Sequence, residues 1–285
     1  MSRNQMSRGE SSLLYLYCIL EPDTAATGLL SDGDVPGVEP QEPLFAIEGA
    51  KLVAAVSRVQ RETFSEEGLN ELLTDLPRLA PYAIRHEQAI RDLFHAAPAL
   101  LPMTFGSVYL SNSRIRRMLA EHATDFRMRL DRLRGRQEWE MKVFQRPAAL
   151  LAAAAASAAQ RPEASRPNNV TDATPGPGKA YLLQRLQERW SVEEAGRMTA
   201  AMLRSIQARL ATVSSATRIE NSEGASADNI DLVCRLAVLV PSSRSGDLQT
   251  LTDDLQREFE PLGLSLELSG PWPAYSFVGG DDGAN

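Results

Sequence analysis

The chain has 285 residues, of which 43% are apolar and 24% are charged, a composition typical of ordinary globular proteins. This length is more than a single hydrophobic core commonly fills, so we expect two domains. Lys and Arg number 30 against 37 Asp and Glu, which gives a net charge of −7. This balance excludes a global positive field of the kind that holds nucleic acid or an anionic membrane.

The cysteines and the N-terminus give no sign of export. Cys18 and Cys234 lie in separate apolar runs, so we predict two small buried side chains rather than a disulfide or a metal site. The first residues, MSRNQMSRGESS, are polar and lack the apolar stretch of a signal peptide. The longest uncharged run, Pro147 to Gln160, is mostly alanine and too short to span a bilayer. We therefore expect a cytoplasmic protein with disordered ends at residues 1–10 and 279–285.

Residues 11–146 predict an N-terminal α+β domain. Leu13 to Leu20 is apolar on both alternating faces, as in a strand in the middle of a covered sheet. Helices on one face of a small, mostly antiparallel sheet are the simplest architecture for the remaining pattern. In chain order we predict the strand at 13–20, a long connection over 21–43, a hairpin over 45–59 with its turn at Glu48-Gly49, a helix ending before Pro98, a strand at 100–109, one helix from about 111 to 133, and a strand at 137–144.

An Ala-rich helix and a linker rich in Pro and Gly, residues 147–178, separate this domain from a second one at 179–278. The second domain also predicts an α+β fold, with a long helix and a small antiparallel sheet. Its elements are a helix at 180–213, a short strand at 217–220, a strictly alternating strand at 230–240, a helix at 247–262 and a strand at 264–268.

Ser269 to Val278, SGPWPAYSFV, which we term the closing segment, ends the second domain. Prolines on both sides of Trp272 prevent a continuous helix or a central strand there, and three large rings lie close together. The segment is therefore either a clasp that completes a core or a strip that binds a partner, through Trp272 and Tyr275.

The three histidines do not predict a metal site. None is paired with another His, a Cys or a carboxylate at the spacing of metal ligands. His86 and His122 lie on apolar helical faces, where a buried core histidine is the simpler interpretation.

Catalytic residues are equally hard to find. Glu138 and Glu140 alternate onto the solvent face of a strand, and adjacent Asp253 and Asp254 do not face each other on a helix. The nucleophile and phosphate-binding motifs GxSxG, SxxK, GxxxxGK[ST] and GxGxxG do not occur. We therefore predict no catalytic residue, no metal and no cofactor.

A local basic patch lies on and after the second long helix, which we call the arginine-rich surface. Most such patches are simply the solvated side of a helix. If the patch has a function, the pattern favours binding of an acidic protein surface over binding of phosphate. Its members are Arg114, Arg116, Arg117, Arg127, Arg129, Arg132, Arg134 and Arg136, of which Arg127, Arg129, Arg132, Arg134 and Arg136 are candidate partner-binding residues.

Six stretches, taken together and in this order, resemble the gas vesicle protein F/L family (GvpF/GvpL) over about residues 12 to 278. The closing GPWP-x-Y-x-F-V is the most specific of them. The stretches are LLYLYCIL at 13–20, RHE at 85–87, LPMTFGSV at 101–108, LRGRQEWEMKV at 133–143, AYL at 180–182 and GPWPAYSFV at 270–278. The motif residues to which we assign a structural role are Arg85, His86, Glu87, Pro102, Phe105, Gly106, Gly135, Glu138, Trp139, Gly270, Pro271, Pro273 and Phe277.

The resemblance implies a modified ferredoxin-like N-terminal domain, a C-terminal α+β domain and a non-enzymatic accessory role in gas vesicle assembly. The implied partners are the vesicle shell protein A and other vesicle accessory proteins, with no nucleic acid, membrane or small-molecule substrate. The implied location is the cytoplasm and the gas vesicle, as a minor component at the gas-facing side of the shell. Two alternatives stay open: a nucleic-acid- or nucleotide-binding regulator that uses the arginine-rich helix 114–136, and an enzyme with an unrecognised site.

Overall fold

The computed structural model describes residues 12–22, 24–159, 177–220, 226–227 and 230–279. The chain divides into two compact units: unit 1 comprises residues 1–138 together with 271–285, and unit 2 comprises residues 139–270. The predicted disordered N-terminus, residues 280–285 and residues 160–176 of the predicted linker lie outside the described residues. Among the described helices, none has both the length and the apolar character needed to cross a membrane.

Unit 1 contains a sheet in the order β2-β3-β1-β4, with β5 also paired to β1, and the strand pairs are antiparallel. A βαββαβ succession with this order is the ferredoxin-like arrangement, which confirms the predicted fold class. In chain order the elements are β1 (Ser12–Leu20), α1 (Ala25–Asp32), β2 (Phe45–Gly49), β3 (Leu52–Gln60), α2 (Arg61–Phe64), α3 (Glu66–Thr74), α4 (Leu76–Ala96), β4 (Leu100–Pro102), β5 (Val108–Tyr109), α5 (Asn112–Glu121), α6 (Ala123–Leu133) and the start of β6 (Arg136–Gln145).

Strand β1 is buried along nearly its whole length because both of its faces are covered. Tyr15 and Tyr17 join the core formed with α1, α2 and α4. Leu14 and Leu16 alternate with them and are also buried, on the face where α5 and α6 contribute the buried residues Ile115, Leu119, Leu130 and Leu133. We expected helices on one face of this sheet, but in the structure helices cover both faces.

The β2–β3 hairpin turns two residues later than the pattern predicts. Gly49 pairs with Leu52, and the turn residues Ala50 and Lys51 have φ of 53° and 57°. Two consecutive left-handed residues are the signature of a type I′ turn, which matches the twist of the paired strands. Neither residue is a glycine, so the usual sequence signal for this turn is missing.

The helices of unit 1 differ from the prediction at two places. The predicted connection over 21–43 contains α1, whose start is a capping box between Thr24 and Thr27 and whose end is Gly33 at φ 72°. The single helix predicted over 111–133 is two helices, because His122 between them has φ −107° and ψ 12°.

Unit 2 is built on a second sheet, in the order β10-β6-β9-β7 with β8 paired to β9. Its core joins Trp139, Met141 and Val143 of β6 to Leu236, Val238 and Val240 of β9, as the alternation predicts. The remaining elements are α7 (Pro147–Ala159), α8 (Pro177–Leu210), β7 (Ala216–Glu220), β8 (Ser226–Ala227), β9 (Ile230–Pro241), α9 (Ser245–Phe259) and β10 (Leu264–Trp272), after which α10 (Tyr275–Val278) belongs to unit 1.

The division into units differs from the predicted domain boundaries at three places. The N-terminal domain, which we predicted to run to residue 146, ends at Glu138, so β6 belongs to unit 2 from Trp139 onward. Helix α7, which we assigned to the connection between domains, contributes the buried residues Leu150 and Ala154 to the unit 2 core. The closing segment, which we assigned to the second domain, belongs to unit 1 from Pro271 onward. Local sequence cannot reveal that the closing segment packs on unit 1, because the contacts that hold it there join residues far apart in the chain.

Candidate functional site

The closing segment is fixed on unit 1 as a clasp. Pro273, Ala274 and Phe277 are buried, whereas Trp272 and Tyr275 are half-buried. Tyr275 packs against the same core as β1 and α4. The segment therefore inserts small and aromatic side chains into unit 1 and leaves parts of two large rings exposed to solvent.

Hydrogen bonds hold this clasp at both ends of α10. The Ser276 backbone N–H and hydroxyl donate to the two carboxylate oxygens of Glu138, at 3.0 and 2.7 Å. The Tyr275 hydroxyl donates to Glu87 at 3.0 Å, and Arg129 donates to the Val278 carbonyl. Burial, followed by the nearby Glu87 carboxylate, raises the pKa of Tyr275, so its hydroxyl stays a donor.

Trp272 is held by a cation–π contact. The guanidinium carbon of Arg91, on α4, lies 4.9 Å from the centre of the Trp272 ring. Such contacts contribute on the order of 0.5–1 kcal/mol at partly exposed sites. Of the two interpretations left open by the sequence, the clasp accounts for the buried part of the ring.

Glu138 is a corrected prediction. The alternation of β6 places it on the solvent side, but it is only 7% exposed and accepts both bonds from Ser276. Glu140 is half-buried and lies 3.3 Å from Lys142 and 3.6 Å from Arg235. The two carboxylates thus have separate structural partners, and this arrangement does not resemble an acid/base pair.

His86 lies in the unit 1 core, as predicted. Its Nδ1 is 3.0 Å from the Tyr15 hydroxyl, which also accepts the Gly106 N–H at 3.1 Å. The rings of Tyr17 and Phe105 lie 5.8 and 5.7 Å from the imidazole. Burial lowers the pKa of His86 to about 4, so the side chain is neutral at physiological pH.

His122 differs from its prediction. It is exposed at the break between α5 and α6 and contacts the Phe126 ring at 5.6 Å, whereas the helical pattern placed it on an apolar face. The described residues contain no cluster of three or more His, Cys, Asp or Glu able to hold a metal ion. Cys18 and Cys234 are free thiols, with Cys18 buried and Cys234 half-buried.

Arg85 and Glu87 flank His86 and have separate roles. The Arg85 Nε donates to the Val38 carbonyl at 2.5 Å, and its guanidinium lies 5.0 Å from the Tyr82 ring centre. The Val38 N–H in turn donates to the Tyr17 hydroxyl at 2.7 Å. Arg85 therefore anchors the loop after α1 to the core.

The remaining motif residues occupy tight backbone positions. Gly106 and Gly135 have φ of 86° and 66°, a conformation in which any other residue is strained. Pro102 ends β4 and is buried, Phe105 packs at the edge of the core, and Gly270 and Pro271 lie within β10.

The arginine-rich surface is largely bonded to the chain itself. Arg127 donates to the Ala50 carbonyl at the hairpin turn, and Arg129 forms an ion pair with Asp125 at 2.9 Å besides its bond to Val278. The other members with described bonds are Arg116 to the Glu48 carbonyl, Arg117 to Glu121, Arg134 to Glu21 and Asp131, and Arg136 to the Arg132 carbonyl. These bonds leave fewer donors for phosphate, which weakens the nucleic-acid alternative.

Comparison with solved structures shows which proteins share this fold. Two solved structures of GvpF are similar in fold to this chain over nearly its whole length. They are those from Anabaena sp. PCC7120 (TM-score 0.63, 16% identity, 96% of this chain and 99% of that one) and Microcystis aeruginosa (TM-score 0.60, 18% identity, 94% and 99%). At these identities the likeness is one of fold.

The sequence comparisons define the family. The family model "Gas vesicle synthesis protein GvpL/GvpF" matches residues 13–279, and this chain belongs to that family. Gas vesicle protein L of Streptomyces sp. (strain CB03234) is 30% identical over 269 residues, covering 94% of this chain and 93% of that protein. Gas vesicle protein L2 of Halobacterium salinarum is 22% identical over 284 residues, covering 97% and 94%. The chain therefore has a role in gas vesicle formation.

Proposed function

We propose that this protein acts in gas vesicle assembly as a non-enzymatic accessory protein that binds the shell protein A and other vesicle proteins. The observation that carries the proposal is the family match over residues 13–279, which covers both units. Shell subunits that polymerise through apolar surfaces need partners that cover those surfaces beforehand.

Exposed apolar side chains support the same proposal. Leu73, Leu76 and Ile84 on α3 and α4 are 53%, 71% and 68% exposed, and Trp190 on α8 is 54% exposed. Aromatic residues are enriched at protein interfaces, and tryptophan is among the residues that contribute most to binding there. Each unit therefore offers apolar area to a partner polypeptide.

The test combines a deletion strain with direct binding. Deleting the gene in a vesicle-forming host should abolish flotation, and the full-length protein should restore it. Purified full-length protein should also capture the shell protein, and washed vesicles should retain it as a minor component. A deletion strain that floats normally would falsify the role in assembly, and a protein that fails to capture the shell protein contradicts the proposed partner.

The arginine-rich surface is our proposed contact for an acidic partner surface. Arg114 and Arg132 are exposed. Arg114→Glu should weaken capture of vesicle proteins without changing the circular dichroism spectrum, and adding Arg132→Glu should weaken capture further. Arg129→Glu is the contrast: it breaks the bonds to Asp125 and Val278, so we expect lower stability there. Unchanged capture by the double variant rejects this surface.

A further inference from the structure

A groove of about 540 Å³ lies in unit 1, between strand β5 and the junction of α2 and α3. Leu13 and Phe64 belong to the adjoining core, and Leu110 at the groove is 64% exposed. Three glutamates, Glu62, Glu66 and Glu67, also line the groove. The groove thus combines an apolar part with an acidic part.

The backbone of the α2–α3 junction is held by a helix cap and a close helix contact, which set the backbone positions of the three glutamates. The Ser65 hydroxyl accepts the Gly68 N–H at 3.3 Å and caps α3. A Cβ at Gly68 would lie 2.2 Å from the Glu62 carbonyl oxygen, so the two helices approach as closely as a glycine permits. Glu66 and Glu67 occupy the first turn of α3, where its dipole favours negative charge.

The groove suits a polypeptide better than a small molecule. Glu62, Glu66, Glu67 and Leu110 are all exposed, so a compact ligand there would remain largely in water, whereas ligand pockets cover most of their ligand. With Arg61 also at the groove, its charged side chains sum to −2, from three glutamates and one arginine. The complementary partner is basic and apolar.

We propose that this groove binds a polypeptide segment of a partner protein in which Lys or Arg residues stand beside apolar ones. The proposal rests on the proposed function, that the protein acts by binding other polypeptides. The basic residues pair with the three glutamates, and the apolar residues cover Leu110. Charge selects the segment and apolar contact holds it.

Binding of a labelled peptide of alternating lysine and valine to the full chain tests the groove. Replacing all three glutamates by glutamine removes their charge with little change in shape. Since three exposed ion pairs are lost and each contributes little, we expect roughly fivefold weaker binding. The matched control, Asp32→Asn with Asp34→Asn and Glu48→Gln, removes the same charge from exposed positions of unit 1 and should change affinity by less than about twofold.

A second pair of variants tests the apolar part. Leu110→Ser should weaken peptide binding, whereas Leu73→Ser, at an exposed position outside the groove, should not. Three results overturn the proposal: equal affinity in the groove and control variants, equal binding of a lysine–serine peptide, or much tighter binding by a chain lacking residues 1–11. The last result would assign the groove to the chain's own N-terminal segment.

The groove and the proposed function fail separately. If the groove variants bind the peptide normally while the deletion strain still lacks vesicles, the groove assignment is wrong and the assembly role stands. If the deletion strain floats normally, the assembly role is wrong whatever the peptide does.

Discussion

Buried His86 makes the stability of unit 1 depend on pH. Its pKa is about 4 in the folded protein, against 6.5 for an unperturbed imidazole. The unfolded chain therefore takes up a proton at higher pH than the folded one, so acid favours unfolding. This stabilisation is complete above pH of about 6.5 and is lost as the pH falls toward about 4; between pH 7 and pH 5 the two pKa values give a loss of about 2 kcal/mol.

Cys18 offers an assay specific to unit 1, because its thiol is fully buried in that unit. In a Cys234→Ser background, labelling by a pyridyl disulfide after incubation in urea measures the unfolded fraction at each pH. His86→Gln keeps an acceptor for the Tyr15 hydroxyl but does not titrate, so its loss between pH 7 and pH 5 should be smaller by about 2 kcal/mol. His95→Gln, at an exposed position, should behave as the unmodified chain. Equal pH dependence with and without His86 would refute the reasoning.

Three further predictions concern the stability of unit 1, measured by the same labelling assay. Lys51→Gly removes the strain of a left-handed residue at φ 57° and should stabilise the unit by roughly 1 kcal/mol; a loss contradicts the assigned turn. Phe277→Ala should lower the free energy of unfolding by about 3–5 kcal/mol because the ring is buried. Trp272→Ala should lower it by clearly less because that ring is half-exposed. The reverse order of the two effects argues against the clasp. Gly37→Ala should destabilise, since its Cβ would lie 2.3 Å from a carbonyl oxygen, whereas Gly28→Ala in open space on α1 should stabilise by about 1 kcal/mol; similar effects of the two contradict the close approach.

The sequence predicted the elements whose burial has a clear period. Strand β9 shows this best, because Leu236, Val238 and Val240 alternate and all three enter the unit 2 core. Helix α1 was missed because it is only eight residues long and its start depends on a bond between two threonines. The continuous apolar run of β1 is typical of a strand that is covered on both faces, as it is in the structure.

The candidate site could be predicted only in part. Periodicity identified the arginine-rich surface as a helical face. It could not reveal that Arg127 donates to the Ala50 carbonyl or that Arg134 pairs with the Glu21 carboxylate. Likewise, the alternation of β6 assigned Glu138 to solvent, since its partner Ser276 is 138 residues away. Bonds between distant residues decide these positions, and no local pattern records them.

Unit 1 is assembled from two separate pieces of the polypeptide, and the second piece comes last in synthesis. A ribosome that has reached residue 270 has released every strand of the first sheet, yet the Glu138 carboxylate and the Arg91 guanidinium still await their partners on the closing segment. A premature stop codon just after residue 270 therefore removes part of the first unit while every residue of the second is still made.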